Sequence, residues 1–123
     1  MKLNYVVEGN GENLVFIHGL SDNLLYWESI ASTLKKDFCV VRLDLRGHGQ
    51  SPLGDGEISI DTYVDDLKDI LDELNIKKAN LIGFSLGGAV ALEFAVKYPD
   101  FVSSMVLMPT FSKCDNHVIG MFN

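Results

Sequence analysis

The order strand, helix, strand, helix, strand, helix, strand, read from Leu14 to Met108, predicts an α/β protein: a mostly parallel sheet with helices on both faces. Three observations carry that prediction. Leu14-Val15-Phe16-Ile17 is apolar at every position, as a parallel strand buried between two layers must be. Ile60, Val64, Leu67, Leu71 and Leu74 recur at helical spacing, so one stripe of that segment faces a core. Loops rich in glycine and proline separate the periodic segments, as in Gly47, Gly49, Pro52, Gly54 and Gly56.

The elements follow in order. Lys2 to Glu8 alternates Leu3, Tyr5 and Val7, the pattern of a half-exposed strand. Gly9-Asn10-Gly11 is a strong hairpin signal because these residues tolerate positive φ, so the first strand is expected to join the second as an antiparallel hairpin. Ser21 or Asp22 can cap a helix. Its stripe would be Trp27, Ile30, Ala31 and Leu34, with Lys35 and Lys36 suited to its C-terminus. Cys39 to Leu43 is the next strand. Ser59 or Asp61 caps a second helix, Leu81 to Phe84 is a strand, and Leu86 to Lys97 is a helix stopped before Pro99. Val102 to Met108 is the last strand. The chain reads as a single domain over 1–123, with 111–123 a loop or tail.

Composition narrows the function. With 47% hydrophobic and 22% charged residues, the chain matches an ordinary globular protein. A net charge of −7 is wrong for a nucleic-acid partner, which needs a basic face, and disfavours an anionic membrane surface. Much of the excess lies in residues 61–74, where Asp61, Asp65, Asp66, Asp69, Asp72 and Glu73 face a single Lys68; the plain reading is a solvated helix face. No apolar run approaches the roughly 20 residues of a membrane span. Met1 to Tyr5 lacks a signal core, so a cytoplasmic location is expected. Cys39 reads as a small core residue, a disulfide with Cys114 is disfavoured in such a compartment, and no Cys/His spacing suggests a metal.

The chemistry concentrates at Gly83-Phe84-Ser85-Leu86-Gly87, a G-x-S-x-G pattern between a strand and a helix. A serine in such a turn adopts a strained backbone, and Gly83 and Gly87 stand where bulk would clash. The hydroxyl then projects from the carboxyl end of the sheet, where open α/β sheets bind ligands. The next helix points its free N–H groups and positive dipole end at the same place, so Leu86 N–H is one expected oxyanion donor. His18-Gly19-Leu20 ends the strand at Ile17, and Gly19 lets Leu20 N–H serve as the second. Dinucleotide and P-loop readings fail: after Gly9-Asn10-Gly11 the third glycine of G-x-G-x-x-G is missing, and no G-x-x-x-x-G-K-[ST] occurs.

These segments resemble the α/β-hydrolase superfamily. "LVFIHGLSDNLLYWESIASTL" resembles its third strand, oxyanion loop and first helix; "VVRLDLRGHGQS" its fourth strand and D-x-R-G-x-G-x-S loop; "LIGFSLGGAVALEFAVKYPD" its nucleophile elbow; "VSSMVLM" its sixth strand. The resemblance runs from about residue 3 to 110 and implies a partial α/β-hydrolase fold. It implies Ser85 as nucleophile, Leu20 and Leu86 as oxyanion hole, and His18, Gly19, Gly83 and Gly87 as supports. It places the chain among small esterase, lactonase, thioesterase and C–C-bond hydrolase members, implying an ester, lactone, thioester or similar small-molecule carbonyl substrate, and no cofactor. Members with Asp at the nucleophile position, the haloalkane dehalogenases and epoxide hydrolases, are disfavoured by Ser85.

In that family the acid and histidine follow later strands. They are therefore expected beyond Asn123, and the 123-residue chain alone is expected to be inactive. Among the histidines present, the plain role of His18 is to hold its loop and that of His48 is to pack a glycine turn. His117, with Asp115, follows Ser85 in the right order. Asp44 and Arg46 are expected to brace each other or the loop backbone. The rival reading is an inactive half-length scaffold or binding module, or a half-site completed by a partner chain. In the fragment reading 102–108 is an exposed edge strand open to self-association.

Overall fold

The computed structural model describes residues 2–109. Its five strands form one sheet in the order β1-β3-β2-β4-β5, with β1 Tyr5–Glu8, β2 Asn13–Ile17, β3 Cys39–Leu43, β4 Ala79–Phe84 and β5 Val102–Met108. The pairs β3·β2, β2·β4 and β4·β5 are parallel, and only β1, on β3, is antiparallel. The helices are α1 Glu28–Leu34, α2 Ile60–Glu73 and α3 Leu86–Lys97. The expected α/β architecture, with helices on both faces, is therefore the observed one.

Alternation along the central strand sorts the two layers. Val15 and Ile17 face α2 and α3, where Val41, Leu67, Leu71, Leu81, Val90 and Phe94 complete a fully buried core. Leu14 and Phe16 face the other way, against Trp27 and Ala31 of the α1 layer. Helix α1 covers only part of that second face. An open groove of about 690 Å³ remains beside it, floored by Phe16, Ile82, Val106 and Met108.

The hairpin expected at Gly9-Asn10-Gly11 does not form, because β1 pairs with β3 (Tyr5 opposite Leu43, Glu8 opposite Val40) and not with β2. Both sides of β2 are already taken by the parallel neighbours β3 and β4. The glycines serve a close crossing instead. Gly9 and Gly11 have φ of +83° and +127°, and a Cβ on either would enter the backbone carbonyls of Lys35, Asp37 and Phe38, between α1 and β3.

Capping at α1 also differs from expectation. Asn23, not Ser21 or Asp22, caps a 3₁₀ turn over Leu24–Trp27 that runs into α1, and its side chain accepts the Leu25 N–H at 2.9 Å. Ile30 is half-exposed, so the buried stripe narrows to Trp27 and Ala31. At α2 the cap is Ser59, in a reciprocal box with Thr62. The acidic face of α2 is not wholly solvated, since Asp66 is buried.

Among the described residues strand β5 lies at the sheet edge, with Val106 exposed. Cys39 is a half-buried free thiol whose pKa burial pushes up. Cys114, Asp115 and His117, with the expected tail over 111–123, lie outside the described residues. Among the described residues no helix is long and apolar enough to cross a membrane, and no group of His, Cys, Asp and Glu could hold a metal ion.

Candidate active site

Ser85 sits between the last residue of β4 and the first of α3, with φ 55° and ψ −112°. That backbone is sparsely allowed for a residue with a Cβ and costs on the order of 1–3 kcal/mol. Three features hold it there. Its N–H donates to Met108 O at 2.8 Å, which ties the turn to β5. Its carbonyl accepts from Gly88 N–H at 2.9 Å and Ala89 N–H at 3.2 Å, which starts the α3 ladder. The glycines on either side allow the closure: a Cβ on Gly83 would lie within 3.0 Å of Gly87 O, and one on Gly87 within 3.0 Å of Ile17 O. Ser85 itself is partly exposed. Because the ladder begins with Gly88, the Leu86 N–H stands ahead of it, at the positive end of α3.

The second strand end is β2, which runs into His18-Gly19-Leu20. His18 is fully buried and both ring nitrogens are engaged. Leu45 N–H donates to Nε2 at 3.0 Å, so Nε2 carries the lone pair. Nδ1 then carries the proton and donates to Gly19 O at 2.7 Å. Burial holds the His18 pKa below its ordinary value, against the opposing pull of the Gly19 carbonyl. This neutral, doubly bonded imidazole braces a loop and has no nitrogen left to take a proton from Ser85. Gly19 packs on Phe84, the residue before Ser85. Leu20 follows, 69% exposed, in a turn closed by Asp22 N–H to Gly19 O at 3.2 Å.

The third strand end is the 44–51 loop. Asp44, 2% exposed, accepts from Leu24 N–H at 2.7 Å, Gln50 N–H at 2.9 Å and Asn4 Nδ2 at 2.9 Å. Ser51 Oγ donates to Asp44 O at 2.6 Å and accepts from Asn4 N–H at 2.8 Å. The Asp44 carboxylate fills the space where a Gly49 side chain would stand. Through Leu24 and Leu45, this loop anchors the 18–24 segment from below.

Asp44 and Arg46 do not brace each other; each braces backbone, as the alternative expectation had it, Asp44 through the Leu24 and Gln50 N–H groups and Arg46 through Nη1 to Asp55 O at 3.5 Å. Arg46 reaches over to α2 and clasps Asp66 with Nε and Nη2, each at 2.9 Å. That carboxylate holds the guanidinium charged. His48 turns Nδ1 to Arg46 O at 3.0 Å and packs its ring on His18, 5.1 Å between centroids. It is a packing residue, as expected.

The sequence reading missed Asp66 and Phe84. Asp66 had a signal: with Tyr63 and Ile70 it falls at i, i+3 and i+7, on the edge of the buried stripe. Phe84 had none, since Gly19 and Tyr26, which its ring meets, are far away in sequence.

Residues 12–119 match the sequence profile of the alpha/beta hydrolase fold, and the chain belongs to that family. It is 34% identical over 104 residues to 2-(acetamidomethylene)succinate hydrolase of Mesorhizobium japonicum, covering 85% of this chain and 37% of that protein. It is 34% identical over 112 residues to mouse epoxide hydrolase 4, covering 88% of this chain and 31% of that one. Among solved structures it resembles an esterase from a marine microorganism, with a TM-score of 0.83, 30% identity, and coverage of 98% of this chain and 49% of that chain. The chain spans 30 to 41% of the length of the curated relatives it matches.

Proposed function

We propose that this chain is the nucleophile-bearing part of a serine hydrolase. Its substrate would be a small molecule with an ester, lactone, thioester or similar carbonyl group. Ser85 Oγ attacks the carbonyl carbon. A base takes the hydroxyl proton, and the N–H groups of Leu86 and Leu20 receive the charge that develops on the carbonyl oxygen. The tetrahedral intermediate collapses to an acyl-serine with loss of the leaving group, and water then hydrolyses the acyl-serine. The observation that carries this reading is the strained backbone of Ser85, held open between two glycines at the C-terminal end of the sheet. Strain of that kind persists where the surroundings enforce it, and it clusters at functional positions.

His18 is spent on Leu45 and Gly19, so the base comes from elsewhere. We propose that the triad acid and histidine lie in the part of the protein that this chain, spanning 30 to 41% of its curated relatives' length, does not cover, and that the 123-residue chain alone is close to inactive. Similarity to an epoxide hydrolase does not decide the substrate, because a serine attacks a carbonyl and the carboxylate nucleophile is absent at position 85.

A second reading, a half-site or binding module completed by a partner chain, has its own observation. Among the described residues strand β5 ends the sheet, Val106 is 52% exposed, and the groove beside it is apolar. The buried Trp27 Nε1 in that layer has no acceptor among the described residues. Pairing of two copies through β5 would cover this edge.

Hydrolysis of p-nitrophenyl acetate by the whole natural protein separates the readings. Turnover that vanishes in Ser85→Ala supports the hydrolase. Equal rates in both proteins refute the nucleophile, and concentration-dependent dimerisation without turnover favours the binding module.

A further inference from the structure

Phe84 is the last residue of β4, immediately before Ser85. One edge of its ring meets Gly19: a Cβ there would stand 2.9 Å from Phe84 Cδ2 and 3.2 Å from Cε2. Its face stacks on Tyr26, 5.2 Å between centroids and 16° between planes. Tyr26 meets Trp27 edge-on at 4.8 Å, and Trp27 leans on Phe16 at 5.1 Å. A row of four rings thus connects the strand that carries Ser85 to the helical turn that follows the Leu20 loop.

Two contacts of Phe84 bracket that loop. Gly19 lies immediately before Leu20. Tyr26 lies just after the loop, its N–H bonded to Asn23 O at 3.1 Å. Elsewhere the segment is held by the loop after β3, through Leu45 on His18 and Asp44 on Leu24, and its start is held to β4 and α3 by the Ile17–Gly83 pairing and by Gly87 against Ile17 O and His18 O. Beyond that backbone seam, Phe84 is a side chain that refers the Gly19–Tyr26 stretch to the strand of the nucleophile. Gly19 has no side chain that could give way, so the ring edge bears directly on the backbone whose next N–H is that of Leu20.

We infer that Phe84 is a positioning residue whose ring sets the distance from the Leu20 N–H to Ser85. The inference rests on the proposed roles of Ser85 and Leu20. An oxyanion donor acts only when aimed at the transition state, so its displacement lowers kcat and leaves KM nearly unchanged. A misplacement of about 1 Å can cost about a hundredfold.

The test is a double-mutant cycle in the whole natural protein, read as kcat and KM for p-nitrophenyl acetate, with melting temperatures beside them. Phe84→Val removes the ring and keeps a good strand former. Gly19→Ala drives a methyl group into the ring. Each is expected to lower kcat at least tenfold with KM within twofold. The double variant is expected to fall much less than the product of the two, because the added methyl group then meets no ring. Phe84→Tyr, which keeps the ring, is expected to stay within twofold of wild type. A packing role alone would lower the melting temperature and leave kcat intact well below it; that result, or strictly multiplicative losses, overturns the inference. Ser85→Ala run alongside separates this failure from failure of the hydrolase reading, in which it would leave turnover unchanged. A measurement independent of turnover is the Leu20 amide resonance. It is expected to shift in Phe84→Val and hold in Phe84→Tyr, and no shift in the valine variant overturns the inference.

Discussion

Arg46 and Asp66 form a two-pronged ion pair, Nε and Nη2 on the two carboxylate oxygens at 2.9 Å each, between the loop after β3 and the middle of α2. The side chains are 15% and 10% exposed, so little solvent screens the pair. It binds the loop that carries Asp44 and His48 to the helix covering the sheet.

Removing one partner should therefore cost more than an ordinary surface pair. Asp66→Asn is expected to destabilise the chain by about 2 kcal/mol, below the range for a fully buried pair because some water still reaches it. Replacing both partners, Arg46→Met with Asp66→Leu, is expected to recover most of that loss. Urea unfolding of the two variants beside wild type checks this; a double variant no more stable than Asp66→Asn would contradict it.

Ser85 stores strain that a glycine would relieve. Ser85→Gly is expected to stabilise the protein by about 1 kcal/mol, because glycine adopts φ 55° without a Cβ penalty. Ser85→Ala keeps the Cβ and is expected to leave stability nearly unchanged. Thermal unfolding of the two variants distinguishes them, and equal melting temperatures would mean that the turn is not strained.

Gly87→Ala should be among the most damaging single substitutions here. The added methyl group would press on Ile17 O and His18 O, backbone atoms of the central strand and its loop that have no room to retreat. Gly88→Ala, whose nearest neighbour is Gly83 O at 3.5 Å, is expected to cost little. A loss of about 3 kcal/mol or more in the first, against less than about 1 kcal/mol in the second, is the expected contrast in denaturant unfolding.

His18 makes stability depend on pH. Its pKa in the fold is lowered by burial, with His48 5.1 Å away adding to the effect and Gly19 O, Asp44 and Asp22 opposing it. The unfolded chain therefore takes up this proton more readily than the fold does. The contribution is fully present above the unfolded value of 6.5 and is lost as pH falls from there toward the folded value. Unfolding free energy is expected to drop as pH falls below about 6.5. His18→Asn, which does not titrate, is expected to lose part of that slope; an identical slope would assign the effect to other groups.

Much of this fold was legible because its signals are local. The β3 and β5 ranges, the α3 range and the Ser59 cap follow from apolar runs, helical spacing and cap chemistry that each segment carries alone. The failures are non-local. Gly9-Asn10-Gly11 has hairpin chemistry, but β2 had already given both edges to β3 and β4. Arg46 was expected to brace Asp44, two residues away, or the loop backbone; it reaches the backbone at Asp55 O, but its carboxylate partner is Asp66, twenty residues on. At the site, the glycine spacing around Ser85 was readable because backbone closure needs small residues whatever lies beyond. The contact of Phe84 with Gly19 was not, since only the assembled sheet brings those two strand ends together.

The most direct test of Ser85 as nucleophile is peptide mass mapping of the whole natural protein after treatment with a fluorophosphonate. The account predicts a single phosphonyl adduct on the peptide spanning Gly83 to Gly87, placed on Ser85 and absent from Ser85→Ala. An active protein that yields no adduct there, or one labelled at another serine, would contradict it.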